Sequence, residues 1–172
     1  MAYTTPATWS VGESPTAAKM NTQIRDNITA LHDLTTNASA WNLASQNLAN
    51  DTWTNIAFDQ EHSDNAAIHT GSGTSFIIPV AGQYQMFGQV VFPAQTTSVA
   101  LGARVVLNGA TPANTILNPG CGQSGNGANV AAQFGVSVGD YIWLQGYQNS
   151  GTVVGALGGV TGVSFFLTRV CS

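Results

Sequence analysis

Short segments in which apolar and polar residues alternate dominate the chain from residue 52 to its end. Three rows show the alternation: Val130, Ala132, Phe134, Val136 and Val138; Leu101, Ala103, Val105 and Leu107; and Val163, Phe165 and Leu167. Successive side chains of a strand point to opposite faces, so each row lies on one face. This period of two predicts half-buried β-strands rather than helices.

Turn sequences separate these segments, as at Asn108-Gly109 and at Asn149-Ser150-Gly151. The candidate strands are residues 53–58, 75–79, 82–92, 100–107, 128–138, 140–147 and 162–170. Many short strands without alternating helices predict a mainly β fold, a sandwich or jelly roll. We call this predicted β domain the knob and expect it to occupy residues 52–172. A linker rich in Asn, Ala, Ser and Thr is expected before it, at residues 35–51.

One helix is expected before the linker. Ser14 is a favourable N-cap, and Pro15 suits the first helical position because its missing N–H has no partner there. A heptad-like seam then follows: Ala17, Met20, Ile24, Asn27, Leu31 and Leu34. We interpret it as a trimerisation seam in which Asn27 fixes the register. The alternative is an ordinary amphipathic helix that packs on its own domain.

An extended arm precedes the helix, so residues 1–34 form one N-terminal unit. Tyr3 and Trp9 stand in this arm without apolar neighbours of helical spacing. We expect them to dock on another protein and to make the unit an anchor. The alternative is a frayed terminus.

Charge limits the partners. Charged residues make up 7% of the chain, against roughly 25% in ordinary domains. The four basic residues, Lys19, Arg25, Arg104 and Arg169, are scattered, which argues against binding to nucleic acid. No apolar run is long enough to span a membrane, and the first residues do not have the pattern of a secretory signal. We therefore expect synthesis in a cytoplasm and no membrane partner.

Few residues of the chain could bind a metal ion or take part in catalysis. The densest polar group is Asp59, Glu61, His62, Asp64 and His69. It could hold a metal ion, but we interpret it as a solvated connection between strands. Cys121 and Cys171 form no CxxC pair. No catalytic motif surrounds a serine, so we expect no enzyme, no catalytic residue, no metal and no cofactor.

Aromatic residues mark one strand. Tyr141, Trp143 and Tyr147 alternate with Ile142 and Leu144. The aromatic side therefore faces away from the other side chains of the strand. We interpret it as a subunit interface or, alternatively, as a surface that stacks on the sugars of a host-surface glycan.

Part of the chain resembles a known family. The stretch Phe76-Ile77-Ile78-Pro79-Val80-Ala81-Gly82-Gln83-Tyr84 is similar to the C1q/TNF-like jelly roll. The likeness continues through Val105-Val106-Leu107-Asn108-Gly109, Val138-Gly139-Asp140-Tyr141-Ile142-Trp143-Leu144 and Gly162-Val163-Ser164-Phe165-Phe166-Leu167. The resemblance implies a C1q/TNF-like jelly-roll sandwich that forms a homotrimer and does not catalyse a reaction.

The N-terminal segment has a resemblance of its own. The stretch from Trp9 through Gly12, Glu13 and Met20 to Asn27 looks like the start of many structural proteins of phages of actinobacteria. This resemblance implies a virion protein whose partners are capsid or tail proteins. The hypothesis is a homotrimeric, non-enzymatic surface protein of a phage particle, either a capsid decoration, a head fibre or a short tail-fibre tip. The alternative is a host-receptor or carbohydrate-binding adhesin module of C1q type.

Overall fold

Two antiparallel sheets pack face to face behind an N-terminal helical segment. The computed structural model describes residues 5–33, 36–69, 71–94, 99–110, 115–121, 126–159 and 161–171. The helical segment consists of α1 (Ala17–Met20), a π-helical stretch (Asn21–Arg25) and α2 (Asp26–Asp33). The strands are β1 (Asn37–Trp41), β2 (Gln46–Leu48), β3 (Thr54–Asn55), β4 (Gln60–Asp64), β5 (Phe76–Ile77), β6 (Gly82–Phe92), β7 (Val99–Leu107), β8 (Thr115–Cys121), β9 (Asn126–Val136), β10 (Tyr141–Gln148), β11 (Val154–Ala156) and β12 (Ser164–Cys171).

The strand order defines the sandwich. The first sheet has the order β4-β1-β12-β6-β9, and the second has the order β3-β10-β7-β8 with β5 also paired to β10. A small third sheet joins β11 to β2. Neighbours in each sheet are often distant in sequence, as expected for a jelly roll rather than a meander. The mainly β fold predicted from the alternation is therefore confirmed.

Aromatic rings fill the centre between the sheets. Phe58, Phe76 and Phe165 are at most 1% exposed. The ring centroid of Phe76 lies 5.4 Å from that of Phe58 and 4.9 Å from that of Phe165, in edge-on arrangements. Edge-on pairs of this kind add to the stabilisation that burial alone provides. Val163, Phe165 and Leu167, which the alternation predicts on one face of their strand, all point into this core.

Gly88 on β6 lets the two sheets approach. A β-carbon built at Gly88 would lie 2.4 Å from Cδ1 of Leu144 on the opposite sheet. Glycine is therefore the residue that fits at this position.

The Asn108–Gly109 turn ends β7 with positive φ values of 50° and 77°. Two successive residues of positive φ form the tight hairpin turn that the Asn-Gly pair predicts.

The linker predicted at residues 35–51 is wrong for about half of its length, because two strands lie within it. Asn37–Trp41 forms β1 in the middle of the first sheet, and Gln46–Leu48 forms β2. Ala38 and Ala40 are fully buried. Alanine contributes little apolar area, so the alternation Asn-Ala-Ser-Ala-Trp gave a weak hydrophobic signal. The knob therefore begins at residue 37, not at residue 52.

The helix also starts later than expected. Thr16, not Ser14, is the N-cap, and its Oγ1 accepts a hydrogen bond from the Lys19 N–H at 3.2 Å. Pro15 accordingly precedes the helix rather than opening it. Within the described ranges, no helix has both the length and the apolar character that spanning a membrane requires.

Candidate functional site

The outer face of the first sheet carries an exposed phenylalanine pair. Phe87 of β6 lies directly opposite Phe166 of β12. Their ring centroids are 6.3 Å apart, with 28° between the ring planes. The two residues remain 48% and 36% exposed. Large apolar rings with this much exposure, side by side on a sheet, are candidates for a protein contact.

Uncharged side chains surround this pair. We define the phenylalanine face as the outward residues of four adjacent strands: Asn37, Ser39 and Trp41 of β1; Ser164, Phe166, Thr168 and Val170 of β12; Gln83, Gln85, Phe87, Gln89 and Val91 of β6; and Gly127, Asn129, Ala131, Gln133 and Gly135 of β9. None of these described residues is charged. A depression of about 390 Å³ opens on the face beside Phe87 and Phe166. Depletion of charge is the compositional mark of the centre of a protein interface.

The outer face of the second sheet is aromatic. Tyr141, Trp143, Gln145 and Tyr147 of β10 point outward, while Ile142 and the other alternate residues are buried. The sequence prediction that the three aromatic residues share a face is confirmed by this pattern. Tyr141 is 46% exposed, and its ring plane is within 16° of that of Trp143 at a centroid distance of 6.4 Å.

A network of side chains occupies the other half of this face. The Arg104 guanidinium carbon lies 4.3 Å from the ring centroid of Trp53, and Arg104 Nε donates to Gln145 Oε1 at 2.6 Å. Gln145 Nε2 in turn donates to Asn55 Oδ1 at 2.6 Å. Desolvation lowers the pKa of Arg104 from its ordinary value, yet guanidinium remains charged at neutral pH. The network therefore holds planar polar groups in fixed positions.

Tyr147 closes the network at its far end. Its ring lies 5.1 Å from that of Trp53, and its hydroxyl donates to Asp51 Oδ1. The hydrogen bond to the Asp51 carboxylate raises the pKa of Tyr147. We call the whole set the aromatic face: Trp53, Asn55, Arg104, Tyr141, Trp143, Gln145 and Tyr147. Sequence reasoning missed four of these residues. Gln145 lies on β10 itself and follows the alternation of the aromatic residues. Asn55 and Arg104 reach this face only through the pairing of β10 with β3 and β7, and Trp53 directly precedes β3.

Of the two predicted anchor residues, the structure describes Trp9. Tyr3 lies outside the described residues. Trp9 is 37% exposed, and Lys19 Nζ lies 4.8 Å from its ring centroid. Lys19 also forms an ion pair with Glu13. Trp9 therefore has a local partner, because the arm folds back on the start of the helix, and its docking on another protein stays a prediction.

The residues of the predicted trimerisation seam differ in exposure. Ala17, Met20 and Ile24 are exposed, whereas Asn27 is 6% exposed and its Nδ2 donates to the Gln23 carbonyl at 3.2 Å. The side chain of Leu31, and Leu34 altogether, lie outside the described residues. The π-helical stretch between Met20 and Asn27 has wider turns than an α-helix. It changes the angular spacing that the heptad assumed, and the seam stays a prediction.

The polar group at residues 59–69 is held together by structural contacts. Asp64 accepts hydrogen bonds from the backbone N–H groups of Ala66, Ile68 and His69 at 2.8–3.2 Å. The buried ring of His69 contacts Glu61 Oε1 through Nδ1 at 2.9 Å. His62 stacks on Trp41, and Asp59 accepts from the Leu43 N–H at 2.8 Å.

No three metal-ligating side chains of the described residues converge. The two cysteines lie in different sheets, with Cys121 on β8 and Cys171 on β12. Their side chains are outside the described ones.

Solved structures match the knob at the level of the fold. A TNF protein, Eiger from S. frugiperda, aligns over 80% of this chain and 94% of its own, with 10% identity and a TM-score of 0.55. Murine APRIL aligns over 78% of this chain and 98% of its own, with 14% identity and a TM-score of 0.59. The globular domain of the zebrafish complement 1qA protein aligns over 78% and 97%, with 11% identity and a TM-score of 0.50.

The knob is thus a C1q/TNF-like jelly roll, as the stretch from Phe76 to Tyr84 predicted. No family model matches the sequence, and no curated protein matches it.

Proposed function

We propose that the chain is a non-enzymatic structural protein that forms a homotrimer through its phenylalanine faces. The observation that carries the proposal is the exposed Phe87–Phe166 pair on the phenylalanine face, whose described residues carry no charge. Covering the exposed part of each ring contributes about 1 kcal/mol. Because no charge has to be desolvated around the rings, little opposes this gain.

The proposal that three copies associate is supported by the fold of the knob and by the N-terminal helix. The C1q/TNF-like resemblance implies three knobs packed about one axis. Asn37 of β1 follows the end of α2 within a few residues, so the helices of associated knobs would end beside the packed sheets. Met20, Ile24 and Ile28 are 40%, 45% and 61% exposed in a single chain. Association of the helices would cover these residues at the same axis.

The location is proposed from the N-terminal segment. Its likeness to the start of phage structural proteins supports a role on the virion, with residues 1–34 as the anchor and the knob on display. Capsid proteins and tail proteins are the two candidate partners. Capsid decoration, head fibre and short tail-fibre tip all fit such a design, with synthesis in the host cytoplasm.

The test of assembly is a mass measurement by light scattering on the full chain. We expect a particle of three times the 17.8 kDa of one chain. Placing a charge in the contact, with Phe87→Glu and Phe166→Glu together, should give single chains that keep their strand content by circular dichroism. Leu43→Glu is the matched control, since Leu43 is 62% exposed and lies off the phenylalanine face. A monomeric full chain at micromolar concentration, or a trimeric double variant, would contradict the proposal.

The test of the anchor is a deletion. Removing residues 1–13 should leave a folded knob, because the first strand begins at Asn37, but the shortened chain should no longer be incorporated into particles. Mass spectrometry of purified particles would detect the chain. Particles that lack the full-length chain would rule out the virion assignment, and particles that retain the shortened chain would rule out the anchor.

A further inference from the structure

The aromatic face offers a binding platform on the side of the knob away from the phenylalanine face. Trp143 and Tyr141 lie next to each other with nearly parallel rings. Ile77 pairs directly with Tyr141 and is 38% exposed, so it extends the same surface. The ring faces of aromatic side chains carry partial negative charge. They attract the weakly positive C–H groups on the flat face of a sugar ring.

Polar groups continue the platform along the strand. Arg104 uses only its Nε in a hydrogen bond, and the N–H groups on its terminal nitrogens have no partner among the described residues. The Asn55 side-chain amide accepts from Gln145 and likewise donates to no described residue. Both groups are already held in place, so a ligand that binds them meets a small entropic penalty. Hydroxyl groups can accept from these donors.

The length of the aromatic face and its balance of charge indicate which class of ligand it can bind. From Trp143 to Tyr147 the strand advances about 13 Å, which is room for more than one sugar ring. Arg104 is balanced on this face by Asp51, the partner of Tyr147. A site without net charge favours a neutral ligand, and a lone arginine does not suit a polyphosphate chain.

We propose that the aromatic face binds a neutral oligosaccharide built of hexose or N-acetylhexosamine units. Trp143 and Tyr141 stack on the sugar rings, and Arg104 and Asn55 donate hydrogen bonds to their hydroxyl groups. This function goes beyond assembly, because association through the phenylalanine face leaves the aromatic face free on each copy.

The experiment is calorimetric titration of the full chain with two probes, a glucose tetrasaccharide and an N-acetylglucosamine tetrasaccharide. We expect saturable binding of at least one probe at millimolar concentration. Trp143→Ala should weaken the affinity roughly tenfold or more, the scale of a lost aromatic contact. Tyr141→Ala is a second variant, at a more exposed residue, and should weaken binding several-fold.

The matched control is Leu43→Ala, which removes an exposed apolar side chain outside both faces and should leave the affinity unchanged. Light scattering on the same samples would separate a change in assembly from a change in binding. Absence of binding by both probes would overturn the proposal. Equal affinity of the folded wild type, Trp143→Ala and Tyr141→Ala proteins would also overturn it, as would a matching loss in Leu43→Ala.

Discussion

The two outer faces of the sandwich use their polar side chains in different ways. On the phenylalanine face, glutamine and asparagine surround two rings that contact mainly each other. The Gln85–Gln133 hydrogen bond there is long, at 3.4 Å. On the aromatic face, Arg104, Gln145 and Asn55 form consecutive 2.6 Å bonds. One face therefore leaves its apolar groups for another surface to cover, whereas the other fixes a pattern of rings and donors.

This difference supports the proposed separation of assembly from recognition. Interfaces between copies gain stability from apolar area without buried charge. Recognition of a small polar ligand instead requires donors that are already positioned. The two requirements conflict on one surface, because a preorganised arginine would have to lose its hydration in a subunit contact. Under the two proposals, the sandwich resolves the conflict by assigning one requirement to each sheet.

The largest expected effect is on the free energy of unfolding, and it distinguishes two adjacent residues of β12. Phe165 is 1% exposed and contacts Phe58 and Phe76, whereas Phe166 points out of the same strand. Phe165→Ala should lower the free energy of unfolding by about 3–5 kcal/mol. Phe166→Ala should mainly change how the unfolding midpoint depends on protein concentration.

Denaturant titration at several protein concentrations measures both quantities. The Phe166→Ala variant could instead lose as much stability as the Phe165→Ala variant, by the same amount at every protein concentration. That result would mean that Phe166 belongs to the core of a single chain.

A middle-sized effect tests the rigidity of the aromatic face. Arg104→Ala removes both the contact with Trp53 and the bond to Gln145, and should lower stability by about 1–2 kcal/mol. A double-mutant cycle with Trp53→Ala should give a coupling energy of about 1 kcal/mol.

The background for these measurements is the Phe87→Glu, Phe166→Glu chain, so that association does not contribute. Gln85→Ala is the control from the opposite face, where we expect a change within about 0.5 kcal/mol. Zero coupling between Arg104 and Trp53 would make the aromatic face a set of independent side chains.

The sequence predicted the residues that follow a strong period of two. It placed Phe165 and Leu167 on one face of their strand, and Tyr141, Trp143 and Tyr147 on one face of theirs. The adjacent pair Phe165-Phe166 also held a usable signal, since neighbours on a strand must face opposite sides. Phe87 among Gln83, Gln85 and Gln89 carried the same signal. Reading these two signals together would have located the phenylalanine face.

Other features depended on information that no local sequence pattern holds, or on signals too weak to use. The pairing of β10 with β3 and β7 brings Asn55 and Arg104 to Gln145, and no local pattern encodes that pairing. β1 was missed because Ala38 and Ala40 give a core strand little hydrophobicity. The helix start shifted because Ser14 and Thr16 are both good caps, and only the fold of the arm selects between them.

The smallest expected effect is a pH dependence at the end of the aromatic face. The bond to Asp51 raises the pKa of Tyr147 above its ordinary value of 10.0. The folded chain therefore holds this proton more tightly than the unfolded chain. The resulting stabilisation is complete below pH 10 and is lost as the pH rises through the folded value. Asp51→Asn should return the phenolate absorbance of Tyr147 towards the ordinary titration range and flatten this part of the alkaline decline in melting temperature.

Tyr84 is an internal reference, since burial rather than a carboxylate raises its pKa, and its titration should not respond to Asp51→Asn. In a Tyr147→Phe background, Asp51→Asn should have no effect on the alkaline decline. A persistent effect there would show that Asp51 acts on another group, and that the network ends at Trp53 rather than at Tyr147.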